Sequence, residues 1–348
     1  MTAALPLRLD YPHADPPLSG GALEVVPGVR WLRMPLPFAL DHINVWLLAD
    51  GDGWTLVDCG YGTEETRALW EHHFATTLEG RPLRRIIATH YHPDHIGNAA
   101  WLCAKARCTI AMTHAEFMTA HAAAEGRSGY GVEKVIGLLR QHGMIEAHAD
   151  ALAGRGNAYR RGVPSLPASF ERLHDGDTVA IDGQPWRVIE GHGHSPEHAS
   201  LFASAAGVLI SGDMLLPRIS TNISVWAVEP DGDPLRRFLE SLSRFESLPP
   251  QTLVLPSHGL PFRGIALRVA ELRAHHAARL QELEQALRSR GPSTAADVLP
   301  VLFRRELDLQ QRFFAMGEAI AHLNYLWHAG RARRLTGDNH ILFASHAP

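Results

Sequence analysis

The segment RRIIATHYHPDHIGN (84–98) sets the tightest limit on what this chain can fold into. Apolar Ile86 and Ile87 lead through Ala88 and Thr89 into three histidines and an aspartate within six positions, His90, His92, Asp94 and His95. A short buried strand running into a polar loop is how an α/β protein presents functional groups at one edge of a sheet. His90 and His92 alternate, so both rings can point to the same side of an extended segment. Asp94 and His95 fall on the loop or the first helical turn beyond. Imidazole nitrogens and carboxylate oxygens together suit Zn(II), with Fe or Mn as alternatives. One ion cannot easily draw four groups from so short a span. Two neighbouring ions can, with the His90/His92 pair on one and the Asp94/His95 pair on the other.

With 22 histidines in the chain, a lone histidine carries little weight, so the remaining ligands have to come from other strand ends. VIEGHGHSPEHASL offers His192, His194 and His198 between two expected strands. Asp213 follows an apolar run and a glycine in VLISGDMLL, and His258 closes another in LVLPSHG.

The rest of the chain alternates strand and helix signals, the mark of a layered α/β arrangement. VRWLRMPL (29–36) and NVWLLAD (44–50) read as strands, and Gly51-Asp52-Gly53 turns the chain back into WTLVD (54–58). A helix is expected over 63–78, a strand over 84–89, a helix over about 96–105 and a strand over 108–112. From 114 to about 147 the pattern is helical with a Gly-rich break at 126–131, and 154–167 reads as a loop. The block from about 114 to 165 is therefore an insertion able to lie over a site. Strands resume at 178–191, 198–213 and 252–259, with a hairpin turn at Asp182-Gly183. After Pro261 the composition shifts. Residues 265–290 form one long amphipathic helix, a second starts near Thr294 with Ser293 as its cap, and a third covers 315–329. RARRLTGDNHILF (331–343) reads as strand, Gly-Asp turn, strand. The chain thus divides into a large α/β domain, 1–264, and a small helical, winged-helix-like domain, 265–348.

An apolar share of 45% over 348 residues is ample for a large core. The net charge of −4 gives no general pull toward nucleic acid or anionic membrane, although Arg160, Arg161, Arg331, Arg333 and Arg334 are local basic groups. No apolar run approaches the ~18 residues needed to span a bilayer. The first residues lack the basic and long apolar regions of a secretory signal. Three cysteines without CxxC spacing fit a reducing compartment. A cytoplasmic protein is expected, without a membrane partner; a homodimer is left open.

Taken in order, THYHPDHIGN, GHSPEH, SGD and PSHG resemble the motifs of the metallo-β-lactamase-fold hydrolases, and LVDCG (56–60) is similar to that superfamily's early strand ending in Asp-x-Gly. The resemblance spans about residues 25–265. It implies a four-layer αβ/βα sandwich with two metals at one edge. It further implies that His90, His92 and His194 hold the first metal, that Asp94, His95 and His258 hold the second, and that Asp213 bridges them. His194 is favoured over His192 because it matches the family's Gly-His-x-Pro pattern; His198 is read as structural, and Asp58 as orienting a ligand from behind. The C-terminal region resembles the appendage of a subgroup that includes β-lactamase-like protein 2, the mammalian β-lactamase-like endoribonucleases and many bacterial hydrolases.

Two divalent ions, Zn(II) first among them, would share a water and lower its pKa toward ~7. The expected function is a binuclear metal-dependent hydrolase, using that metal-bridging hydroxide on a carboxylic ester, thioester or lactone, as in hydroxyacylglutathione hydrolases. Asp94 and Asp213 are the catalytic candidates, orienting the hydroxide. The alternative is a phosphodiesterase or endoribonuclease of the same fold. The 315–329 helix is mostly apolar where a nucleic-acid reader would be basic, so a small-molecule acyl substrate is favoured over nucleic acid. Tyr130, Tyr159, Arg160 and Trp226 are candidates for substrate contact, and His42 and Asn44 for facing the metals. Cys59 is read as a small buried residue rather than a nucleophile.

Overall fold

The computed structural model describes residues 8–337 and 340–346. The first residues, with the reading of a missing leader, and Asp338 of the expected C-terminal turn lie outside the described residues. Two sheets dominate. The first runs β1 (Ala22–Val26), β2 (Val29–Pro35), β3 (His42–Asp50), β4 (Gly53–Val57), β5 (Leu83–Ile87), β6 (Thr109–Thr113), β7 (Glu171–Leu173) in that spatial order. Its first four strands are antiparallel and β4 to β7 are parallel. The second contains β8 (Thr178–Ile181), β9 (Gln184–Gly191), β10 (His198–Ala203), β11 (Val208–Gly212) and β12 (Leu253–Pro256), ordered β12-β11-β10-β9-β8. A hairpin of β13 (Ala332–Thr336) and β14 (Ile341–Ser345) lies apart from both.

The two-residue period of a strand sorts the side chains into layers. Trp31, Trp46, Leu48 and Val57 of the first sheet meet Trp186, Val188, Leu201, Ile210 and Leu255 of the second in one apolar layer. Their neighbours Leu32, Met34, Val45, Leu47 and Leu56 face the other way, onto helix residues Trp70, Leu102 and Phe117. On the far side, Ile189, Phe202, Leu209 and Val254 pack with Phe238, Leu242, Val269 and Ile320. Three apolar layers between four layers of secondary structure make the αβ/βα sandwich.

The structure refines the expected elements. The helix expected over 63–78 is Glu64–Ala75, and the one expected near 96–105 is split into Pro93–Ile96 and Ala99–Ala106. The loop at 154–167 contains a helical turn, Tyr159–Gly162. Strands β1 and β7 and the helix Pro234–Glu246 were not anticipated, although Leu235, Phe238, Leu242 and Phe245 of that helix recur at helical spacing behind the Asp233 cap. Thr294, not Ser293, caps Ala295–Leu302. Its hydroxyl accepts from Asp297 N at 3.2 Å, the Asp297 carboxylate accepts from Thr294 N at 2.8 Å, and the Ser293 backbone pairs with Phe343 instead. The third C-terminal helix begins earlier than expected, at Leu309, because Asp308 forms another capping box with Gln311.

The insertion reaches across the layers. Its helix His114–Glu125 buries Phe117 and Ala120 beside the first sheet. Val132–Gln141 and Glu146–Ala153 bury Ile136, Leu139 and Ala149 in the opposite helical layer. That layer also contains helices Ile265–Arg290, Ala295–Leu302 and Leu309–His328, so the C-terminal segment shares an apolar cluster with the second sheet.

Candidate metal centre

Each site residue sits where a strand stops. β5 ends at Ile87, and the chain bends through 89–92, rather than continuing as the extended segment expected there, before Pro93 opens a short helix carrying Asp94 and His95 in its single turn. Proline suits that first helical position because its missing N–H would have had no partner there. His194 lies in the loop between β9 and β10, Asp213 just after β11, and His258 two residues after β12.

Among the described residues, three groups of metal-ligating atoms lie within 4.8 Å of one another: His90/His92/His194, His90/His95/Asp213 and Asp94/His95/His258. All seven expected ligands are thus brought together. His90 Nε2 lies 2.8 Å from His92 Nδ1 and 3.1 Å from His194 Nε2. Asp213 reaches both sides: its Oδ2 is 3.3 Å from His194 Nε2, and its Oδ1 is 3.6 Å from His95 Nε2 and 3.4 Å from His258 Nε2. Asp94 Oδ2 is 3.4 Å from His258 Nε2 and 3.6 Å from His95 Nε2.

The far sides of the rings are tethered. His90 Nδ1 meets Thr89 Oγ1 at 3.0 Å, His95 Nδ1 meets Asp58 Oδ2 at 2.8 Å, His194 Nδ1 meets the Asn222 carbonyl at 2.8 Å, and His258 Nδ1 meets the His42 carbonyl at 2.9 Å. An N–H donated outward on Nδ1 directs Nε2 at the cluster, where a metal can take the place of any proton that nitrogen carries, the arrangement that prepares a histidine for a metal.

Electrostatics divides the cluster. Burial lowers His92 to about 3 and His90 well below its ordinary value, so both rings are neutral at physiological pH. Burial would lower His95 as well, but Asp58, Asp94 and Asp213 outweigh it and raise the ring to about 10. His258 is likewise raised, against burial, by Asp213 and Asp94. Against burial, the same histidines pull Asp94 down to about 2, and together with His194 they hold Asp213 well below the usual carboxylate range. Protons therefore sit where the carboxylates call for positive charge. Among the described residues, the buried His95 Nε2 and Asp213 Oδ1 have no hydrogen-bond partner, an expensive condition unless something else engages them. Neutral imidazoles on one side, paired carboxylates on the other and orphaned polar atoms between them fit a pair of divalent cations.

The other candidates lie elsewhere. His192 turns its Nδ1 to the Pro196 carbonyl at 2.7 Å, outside the cluster. His198 lies behind it, its Nε2 accepting from Asp213 N at 3.1 Å. Asn44 does not face the cluster. It is buried among Trp31 Nε1 and the carbonyls of Pro256 and Gly259, bracing the His258 loop, and His42 gives its carbonyl to His258 Nδ1 while its ring Nε2 accepts from Gly259 N at 3.1 Å. Tyr159 stacks on Tyr91 and donates to its carbonyl at 2.6 Å, and Arg160 binds the Ala124 and Pro164 carbonyls. Tyr130 and Trp226 belong to an aromatic run, His92–Tyr91–Tyr130–Trp226–Phe313, with successive centroids 4.6, 6.2, 6.1 and 5.9 Å apart. Cys59 directs its thiol to the His95 carbonyl at 2.9 Å, and burial pushes its pKa up. Sequence reasoning missed Thr89, Glu116, Asn222 and Glu318. Glu318 meets Asn222 Nδ2 at 3.4 Å and, chiefly through burial, is raised to about 7.

Residues 39–258 match the profile of the metallo-beta-lactamase superfamily. The chain belongs to that superfamily. Residues 280–345 match a second profile, the metallo-beta-lactamase-like C-terminal domain. A beta-lactamase domain protein from Burkholderia ambifaria has a solved structure that aligns with a TM-score of 0.90 and 49% identity, covering 97% of this chain and 98% of that one. The probable metallo-hydrolase YqjP of Bacillus subtilis (strain 168) is 28% identical over 85% of this chain and 91% of its own. The hydroxyacylglutathione hydrolase of Hahella chejuensis is 24% identical over 76% of this chain and 80% of its own.

Proposed function

We propose that this superfamily member is a binuclear metallo-hydrolase that cleaves a carboxylic ester, thioester or lactone of a small molecule. The observation that carries the reading is the convergence of seven donor side chains from four strand ends on one cluster, with Asp213 reaching His194 on one side and His258 on the other. His90, His92 and His194 would hold one ion, Asp94, His95 and His258 the other, and Asp213 both, with Zn(II) the favoured metal. When bound, such a pair supplies a water acidic enough to be hydroxide near neutral pH and polarises the carbonyl under attack.

The chain's own groups do the rest. Asp94 and Asp213 present carboxylate oxygens at the centre of the cluster, where they accept the hydrogen bond that aims the nucleophile. Thr89, Asp58, Asn222 and His42 fix the rings through their outward nitrogens. Beyond the buried Tyr91, the partly exposed Tyr130, Trp226 and Phe313 offer an apolar surface suited to an acyl chain. Cys59, buried with its thiol bonded inward, is not required as a nucleophile.

Two further points favour acyl over phosphodiester chemistry. Arg331 is paired with Glu284 and Arg334 with Asp231, which removes much of the cationic path a nucleic-acid backbone needs. The hydroxyacylglutathione hydrolase relative is a thioesterase by its name. We read residues 1–264 as the catalytic unit and 265–348 as its wall.

The test is a hydrolysis screen over thioesters, lactones and phosphodiesters, using protein stripped of metal and reconstituted with Zn(II) or Mn(II). Turnover of a thioester or lactone that disappears on chelation and in Asp94→Ala is expected. Turnover of phosphodiesters alone would overturn the acyl reading, and an unchanged rate in Asp94→Ala would overturn the mechanism.

A further inference from the structure

Glu116 is a fully buried carboxylate in the first turn of helix His114–Glu125, and among the described residues it has no ion pair with a lysine or arginine. It accepts three hydrogen bonds. Oε2 takes Tyr91 N at 2.9 Å; Oε1 takes Ser195 Oγ at 2.6 Å and Glu197 N at 2.7 Å. The donors are not scattered. Tyr91 lies between His90 and His92, and Ser195 follows His194 directly. One side chain thus ties the turn that leaves the first sheet to the loop that enters the second, at the point where three histidines meet. The attachment is reinforced by Ala115 N donating to the Glu197 carboxylate at 3.0 Å and by a backbone bond from Ala199 N to Thr89 O at 2.8 Å. None of the three donors adjoins His258 in sequence. On the other side, the buried Asp58 stands in the corresponding place, holding His95 and Thr89.

A neutral amide would be the less costly choice for a purely structural link, since an unpaired buried carboxylate pays heavily for desolvation; burial indeed raises Glu116 to about 7. Two properties set the carboxylate apart. It accepts from three donors while offering none, and its charged form interacts favourably with His194, so a cation held by that ring would favour it.

We propose that Glu116 is a positioning residue dedicated to one half of the cluster: it fixes the separation of His90 and His92 from His194, and so controls the ion held by those three rings and not the ion held by Asp94, His95 and His258. The inference rests on the two-ion reading above.

The test is a calorimetric titration of the full-length, metal-free chain with Zn(II) in competition with a chelator, alongside the melting temperature of the metal-free protein. In Glu116→Gln the amide oxygen can satisfy Ser195 and Glu197, and its NH2 then opposes the Tyr91 N–H. One of two binding events is expected to weaken about 10–100-fold and the other to stay within about twofold. Glu116→Gln should add nothing in a His194→Ala background and should keep its effect in a His258→Ala background. Both affinities unchanged, with only the melting temperature lowered, would make Glu116 a structural link and overturn the proposal; equal weakening of both would overturn its selectivity. If Glu116→Gln does not fold, Ser195→Ala removes one contact from the opposite side and must show the same selective loss, or the proposal falls. Wild-type protein taking up fewer than two ions would fail the two-ion reading itself, a result distinct from two ions bound with no selectivity.

Discussion

Replacing Asp58 by asparagine changes almost no volume and should still disable one ion site. Asp58 is buried, adopts a left-handed backbone (φ 61°) and accepts from Thr89 N at 2.8 Å, Thr89 Oγ1 at 3.0 and 3.1 Å and His95 Nδ1 at 2.8 Å. Asparagine tolerates that backbone region, so local strain is small. What it cannot do is accept from both sides. If its oxygen faces Thr89, its NH2 faces His95 Nδ1, and that ring can relieve the conflict only by carrying its proton on Nε2, which points into the cluster. If the amide flips, its NH2 opposes the Thr89 N–H instead. A ring protonated on Nε2 cannot bind metal there, so the affinity of the site containing His95 should fall about 10–100-fold, or about 1.4–2.7 kcal/mol. The same amount is lost from the stability of the loaded protein by linkage, while the metal-free protein loses about 1–2 kcal/mol from weaker hydrogen bonding. Chelator-competition titration with urea unfolding in both states measures these terms, and ¹⁵N-imidazole NMR reports the His95 tautomer. An Asp58→Asn protein that binds both ions with wild-type affinity would refute the reasoning.

Three other outcomes are expected. A Cβ at Gly212, which has φ +53°, would fall 2.3 Å from His198 Nε2, so Gly212→Ala must push the ring that supports Asp213; activity should drop about 10²-fold with a stability loss of about 1–3 kcal/mol, read by initial rates and thermal unfolding. His276 and His322 are fully buried against each other, Nδ1 to Nε2 3.2 Å, and burial lowers them to about 3 and about 4. Because the unfolded chain binds these protons first, stability is complete above pH ~6.5 and falls as pH drops toward the folded values, by about 2 kcal/mol per ring at pH 5; urea midpoints at pH 8 and pH 5 should show the loss, and His276→Leu should reduce the difference. Cys59 should resist thiol reagents in the native protein, and Cys59→Ala should retain at least half the hydrolytic rate, since the thiol is buried in an apolar cluster and its hydrogen bond goes to the His95 carbonyl.

Much of the architecture is legible without coordinates because it is local. Trp31, Trp46 and Leu48 alternate with Leu32, Val45 and Leu47, and that period alone assigns two faces to each strand. Strands β1 and β7 escape notice because they are short strands at opposite edges of the first sheet, each with a single fully buried residue. The Thr294 cap was missed by one residue because serine and threonine stand side by side, and only the reciprocal Asp297 contact separates them.

For the site, the chain itself determines the ligand chemistry: apolar strands that end in His or Asp necessarily set those groups at a sheet edge. Which way each ring faces is not a property of its neighbours in sequence. His192, His194 and His198 share one stretch around Gly193, yet only His194 enters the cluster, because its outward nitrogen finds the carbonyl of Asn222, while His192 finds that of Pro196 and His198 receives the N–H of Asp213. Glu116 has no motif at all; it matters because folding carries the start of one helix to the gap between two loops about 80 and 25 residues away in the chain. A hydrogen-bond partner acts over about 3 Å of space whatever the separation in sequence, so the folded chain alone decides orientation, support and the tethering of the two halves.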